Sequence, residues 1–107
     1  MKKYRITVTL TKEYEVEVDE NLYNEEWKKN FERYMWELPD GEILSESIAK
    51  ALAEQSARLG VNTFLEGFGK CAPDKETAEK RGGRDGYVEG LYISQSDEWI
   101  ESEAEED

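Results

Sequence analysis

The sequence predicts a single α+β domain over residues 1–95, followed by an acidic C-terminal tail over residues 96–107. The domain is ordered ββααββ, with two helices packed on one face of a mostly antiparallel four-stranded sheet. Three observations carry this expectation. Residues 4–19 alternate apolar and polar side chains at the period of a strand. Residues 24–38 and 42–59 repeat apolar side chains at the period of a helix, and the second half holds two short segments rich in aromatic and β-branched residues. A chain of 107 residues is long enough to bury one modest core and too short for two.

In YRITVTLTKEYEVEVD, Tyr4, Ile6, Val8 and Leu10 alternate with Arg5, Thr7 and Thr9. Tyr14, Val16 and Val18 then alternate with Glu13, Glu15, Glu17 and Asp19. That is the signature of a sheet with one wet face, and it predicts a hairpin. Both apolar sets have even numbers, so they share a face when paired residues have an even sum. An odd loop at Thr11-Lys12-Glu13 satisfies this and sets Val8 opposite Val16 and Arg5 opposite Asp19.

The first helix is expected to start at Asn24, a good N-cap, with Glu25 and Glu26 at the positive end of its dipole and Pro39 as its stop. Trp27, Phe31, Tyr34 and Leu38, with Met35 at the margin, fall on one side as the buried stripe. Trp36 falls opposite, beside Glu32 and Lys29. A second helix over Glu42 to Leu59 carries Leu44, Ile48, Leu52 and Leu59 along one side and ends at Gly60. The two helices are expected to form an antiparallel pair lying on the sheet.

NTFLEGFGKC (residues 62–71) and GYVEGLYIS (residues 86–94) are the remaining strand candidates, interrupted by Gly67, Gly69 and Gly90. APDKETAEKRGGRDG (residues 72–86) lies between them. Its Pro, Gly and charged residues predict a long mobile loop.

Composition narrows function by exclusion. The chain has no histidine, and Cys71 is its one cysteine, so it lacks the commonest metal ligand, the commonest general base and any disulfide. No serine has a histidine to activate it. GFGK (residues 67–70) lacks the full phosphate-loop pattern, and DENLYNEE (residues 19–26) lacks the spacing of a calcium loop. KRGGRDG (residues 80–86) could touch single-stranded nucleic acid, but a net charge of −12 repels phosphates. No enzyme activity, cofactor, metal site or direct nucleic-acid binding is expected. The opening MKKYRITVTL alternates too strictly for a signal peptide, no run is long enough to span a membrane, and the expected location is the cytoplasm.

What remains is the arrangement of the acids. Alternate residues of a strand share a face at roughly 6.8 Å spacing, so Glu13, Glu15, Glu17 and Asp19 form a ladder of carboxylates comparable in spacing to the phosphates of one nucleic-acid strand. An ordinary solvated sheet face is the alternative, and Arg5, Thr7 and Thr9 fit it. SDEWIESEAEED (residues 96–107) holds Asp97, Glu98, Glu101, Glu103, Glu105, Glu106 and Asp107 and no base, so it contributes −7 of the −12 and leaves −5 on the rest. Trp99 and Ile100 within it suit docking onto a basic, partly apolar surface. Trp36, on the polar side of its helix, is a third candidate contact.

A short, acidic, histidine-free chain opening on MKKYRITVTLTKEYEVEVDE and followed by a Trp- and Tyr-rich helix resembles the small accessory proteins of phages and mobile elements. Anti-CRISPR proteins and other DNA-mimic inhibitors of nucleases belong to that group. The resemblance implies a non-enzymatic inhibitor that presents an acidic surface to a basic groove of a CRISPR nuclease or another nucleic-acid-processing protein. The residues placed at that contact are Glu13, Glu15, Glu17, Asp19, Trp36, Asp97, Glu98, Trp99 and Glu101. The alternative is a structural or assembly subunit that forms a homodimer or complex through exposed aromatics or an open sheet edge.

Overall fold

The structure, a computed structural model, describes residues 1–106, with the backbone alone described at residues 82–84. Asp107, the last of the expected tail acids, lies outside the described residues. The chain runs β1 (Tyr4–Val18), α1 (Glu25–Tyr34), α2 (Leu44–Leu59), β2 (Phe64–Leu65), β3 (Gly69–Ala72), α3 (Lys75–Asp85) and β4 (Tyr87–Glu106). The α+β class and the four-stranded sheet stand. The order ββααββ does not: the chain reads βααββαβ, with three helices among the described residues. The sheet is ordered β1-β4-β3-β2 and is mixed, β1 with β4 and β2 with β3 antiparallel, β3 with β4 parallel. A parallel pair needs a crossover, and α3 is that crossover, packed on both of the strands it joins.

The expected hairpin over residues 4–19 is instead one strand of 15 residues. Nothing at Thr11-Lys12-Glu13 supplies a positive φ or a fixed turn, and the β-branched residues before it favour extension. The partner of β1 is β4, which runs from Val18↔Leu91 to Tyr4↔Glu106. Residues 96–106, expected as a tail, are therefore the outer half of a 20-residue strand. One irregularity interrupts the ladder: Glu13 faces Asp97 while Tyr14 faces Gln95, so Ser96 is an extra residue on β4, a β-bulge.

The expected loop over residues 72–86 also proves to be ordered helix. Asp74 caps α3, its Oδ1 accepting from the Thr77 N–H at 2.7 Å. That bond holds the Asp74 carboxyl below the usual carboxylate range. The (i, i+4) pairs Glu76–Lys80, Lys75–Glu79 and Arg81–Asp85 support the helix.

The core lies between the sheet and α1/α2: Phe31, Leu38, Ile48, Leu52, Leu65, Phe68, Cys71, Leu91 and Ile93 are buried, with Val16, Val18 and Trp27 packed against them. Asn24 caps α1 through the Trp27 N–H and α2 stops at Gly60, both as the sequence indicates. Tyr34 and Leu59, expected in the buried stripes, sit exposed at the two helix ends. Helix α1 ends at Tyr34, short of the expected stop at Pro39: Met35 leaves helical geometry while its N–H still donates to the Phe31 carbonyl, and the Glu32 carboxylate accepts from the Leu38 N–H at 3.1 Å.

A compact chain of this length has a radius of gyration of ~13 Å; the observed value is 17.5 Å, with extents of 60 × 31 × 22 Å. The long axis is the β1/β4 ribbon. Twenty residues of strand reach about 65 Å before twist and bulge shorten them. The inner half of the ribbon lies in the body, and the outer half, residues 4–13 and 97–106, projects beyond the helices. No helix among the described residues is long and apolar enough to cross a membrane.

Candidate functional site

The ribbon has two chemically different faces, and pairing decides which residues share each. On β1 the odd residues Arg5, Thr7, Thr9, Thr11, Glu13, Glu15 and Glu17 point one way. Opposite them stand Glu105, Glu103, Glu101, Trp99, Asp97, Ser94 and Tyr92. The acids therefore lie on β4 in the outer half and on β1 in the inner half, and the two rows meet at the directly opposed pair Glu13↔Asp97. The result is one stripe: Glu105, Glu103, Glu101, Asp97, Glu13, Glu15, Glu17. All seven are exposed. Twelve residue steps at about 3.3 Å make the stripe about 40 Å long, slightly more than one turn of duplex DNA.

Two groups that the sequence separates, the ladder near residue 15 and the acidic run after residue 96, are thus joined by long-range pairing. Trp99 sits within the stripe, opposite Thr11, 38% exposed. Its indole supplies a broad apolar contact amid the charges.

Three of the expected contact residues fall elsewhere. Asp19 lies past the end of β1 and shapes a turn: its Oδ1 accepts from the Asn21 N–H, its carbonyl accepts from Leu22 and Tyr23, and its N–H donates to Gly90. Glu98 points to the opposite face, where Lys12 lies 3.8 Å away. Trp36 follows α1 instead of riding on it. It is half-buried, edge-on to Phe31 at 5.2 Å and to Phe68 at 6.4 Å, and it walls an open cleft of about 590 Å³ with Glu54, Arg58 and Glu66. Glu13, Glu15, Glu17, Asp97, Trp99 and Glu101 are brought together.

Glu103 and Glu105, outside the expected contact set, join them. Their signal was present in the sequence: Glu101, Glu103 and Glu105 keep the strand period with small residues Ser102 and Ala104 between them.

The chemistry available here is electrostatic. Cys71 is buried, its thiol pushed up to about 11 by desolvation, which makes it a poor nucleophile. Tyr23 is pushed up to about 12, chiefly by burial, and its hydroxyl donates to the Glu89 carbonyl at 2.9 Å. Among the described residues, no group of three or more His, Cys, Asp or Glu is placed to hold a metal ion.

Like charges directly opposite on paired strands are destabilising, by up to about 1 kcal/mol. Relieving the Glu13↔Asp97 opposition by Glu13→Gln is accordingly expected to raise the melting temperature by a few degrees at low salt, with the gain shrinking as salt screens the pair. Thermal unfolding followed by circular dichroism checks this, and no gain at low salt refutes it. Comparison with family models, with curated proteins and with solved structures returns no match to the chain.

Proposed function

We propose that the chain is a non-enzymatic, anti-CRISPR-like inhibitor whose acidic ribbon occupies a basic nucleic-acid-binding groove of a nuclease or another nucleic-acid-processing protein. The observation that carries this reading is the single stripe from Glu105 to Glu17, seven carboxylates on one face of a ribbon that projects from the body. The repeat is about 6.8 Å from Glu105 to Glu101 and again from Glu13 to Glu17, with the uncharged Thr11–Trp99 level between the two runs. A groove shaped for a phosphate backbone meets two evenly spaced runs of negative charge over the length of a duplex turn. Because the carboxylates are held by a paired sheet, less conformational freedom is lost on docking than for an unstructured acidic segment. Trp99 offers the apolar contact that slows dissociation. Arg5, opposite Glu105, is the one base whose register position falls on this face of the paired strands.

Attraction between the stripe and a basic groove accelerates encounter and weakens as salt is added. The test is inhibition of DNA cleavage by a panel of RNA-guided and RNA-independent nucleases at equimolar inhibitor. The comparison is the triple variant Glu101→Lys, Glu103→Lys, Glu105→Lys. The expected result is a nuclease bound in competition with its DNA. The triple variant is expected to bind at least about tenfold more weakly at low salt, with the difference narrowing at high salt. A complex that admits DNA at the same time, or one indifferent to both the reversal and salt, overturns the reading. So does a panel in which nothing is bound at low salt.

A further inference from the structure

The opposite face of the ribbon carries no such charge. Its β1 side chains are Tyr4, Ile6, Val8, Leu10 and Lys12, and their partners on β4 are Glu106, Ala104, Ser102, Ile100 and Glu98. Val16 and Val18 continue the same face inward, where α2 covers them. Beyond α2 the face is bare among the described residues. Ile6 is 55%, Val8 63%, Leu10 51% and Ile100 69% exposed. A two-stranded ribbon is marginally stable in water without a further layer against its apolar side, so this outer half calls for an occupant.

The distribution of charge says which one. The bare face holds two bases and two acids, arranged as ion pairs at its ends, Lys12 with Glu98 at 3.8 Å and Lys2 with Glu106 at 3.5 Å, so its formal charge is zero. Over the same length the other face holds Lys3, by alternation with Lys2, and Arg5 against Glu13, Asp97, Glu101, Glu103 and Glu105, two bases against five acids, or −3. A cationic partner is drawn to the second face and gains nothing from the first. For another molecule of net charge −12, the neutral face is the approach with the least repulsion.

We infer that this face is a self-association surface, on which a second copy of the chain lays the same face of its own ribbon about a two-fold axis near Val8. The arrangement is isologous, so each copy supplies and receives the same residues. It is also antiparallel along the ribbon, bringing the Lys2–Glu106 end of one copy to the Lys12–Glu98 end of the other. Packed sheets lie about 10 Å apart. That is about the spacing at which a helix packs, so the second ribbon continues the layer that α2 occupies over the inner half. Both acidic stripes then face outward, on opposite sides of a four-stranded sandwich.

Tyr4, Ile6, Val8, Leu10 and Ile100 are each more than half exposed. Covering them removes about 100 Å² apiece, so two ribbons bury on the order of 1,000 Å², the lower limit of a specific interface. An interface of that size fits a weak, concentration-dependent dimer. This inference does not rest on the inhibitor reading, and salt separates the two, since screening relieves repulsion between two anionic copies while weakening attraction to a cationic groove.

The test is sedimentation equilibrium of the whole chain across a concentration series at low and high salt. The mass of the wild type is expected to rise from 12.4 kDa toward twice that value, at lower concentration when salt is high. Val8→Glu and Ile100→Glu are expected to hold the chain monomeric. Val8→Thr, which keeps the strand preference and the shape, is expected to weaken the dimer several-fold with an unchanged circular dichroism spectrum. Glu101→Gln, on the other face, is expected to leave it intact. A wild type that stays monomeric to millimolar concentration overturns the inference. A dimer that survives all three apolar-face substitutions, or open-ended growth by pairing of strand edges, overturns it as well.

Discussion

Phe68→Ala is expected to lower the unfolding free energy by about 3–5 kcal/mol, the largest loss from any single truncation considered for this chain. Phe68 is 6% exposed, and its ring lies 5.1 Å from that of Phe31 and 6.0 Å from that of Trp27, both near parallel, with the Trp36 edge against it. The ring ties α1 to the turn between β2 and β3. Removing it forfeits the transfer energy of the ring, leaves a cavity that flat neighbours cannot fill, and undoes several aromatic contacts worth about 0.5–1.5 kcal/mol each. Domains of this size have about 5–15 kcal/mol in total, so much of the stability goes with this one side chain. Urea unfolding followed by tryptophan fluorescence measures it directly, because Trp27 and Trp36 both report on the cluster. A loss below about 1 kcal/mol means that the cluster does not hold α1 in place.

Gly90→Ala is expected to cost about 2–3 kcal/mol, through backbone and packing together. Gly90 has φ +84°, and a Cβ there meets Leu22 Cδ1 at 2.9 Å, Asp19 Cβ at 3.1 Å and Tyr23 Cε2 at 3.1 Å. This is where the turn after β1 closes onto β4: the Asp19 N–H donates to the Gly90 carbonyl at 2.8 Å, and the Tyr23 hydroxyl bonds the neighbouring Glu89 carbonyl. Gly86 provides the control. Its φ is +73°, but nothing lies within 4 Å of an added Cβ, so Gly86→Ala carries only the backbone part, about 1 kcal/mol. Equal losses at the two positions in chemical denaturation refute the packing half of the argument.

Sequence reasoning succeeded where the deciding interactions are local. The Asn24 cap, the Phe31 position, the Ile48–Leu52 side of α2 and the stop at Gly60 depend on neighbours within a few residues, and all are as expected, whereas Leu38 is buried but lies beyond the end of α1. It failed where the partner is distant. The alternation from Tyr4 to Val18 states correctly that the segment is extended and two-faced, but a period of two is silent about where a chain turns. The strand that completes it begins some seventy residues later. Charge density suggested a solvated tail after Ser96. Yet Glu101 and Glu103 stand opposite threonines and Glu98 and Glu105 opposite bases, with Asp97 alone facing another acid, which is what lets so charged a segment pair. In residues 72–86 the glycines outweighed a cap at Asp74 and three spaced ion pairs, and the caps and pairs were the better guide. The acidic stripe is half legible in the sequence: individual acids can be named, but their union into one stripe is a property of the β1/β4 register alone.

Ser96 acts as a half-period phase shift. Were the inner register carried outward without it, Glu101 would stand across from Val8, Glu103 from Ile6 and Glu105 from Tyr4, and each side of the ribbon would mix grease with charge. Insertions and deletions in the outer arm therefore obey a parity condition. Length can change by two residues per strand while both surfaces keep their chemistry, whereas any odd change confined to one strand scrambles both at once.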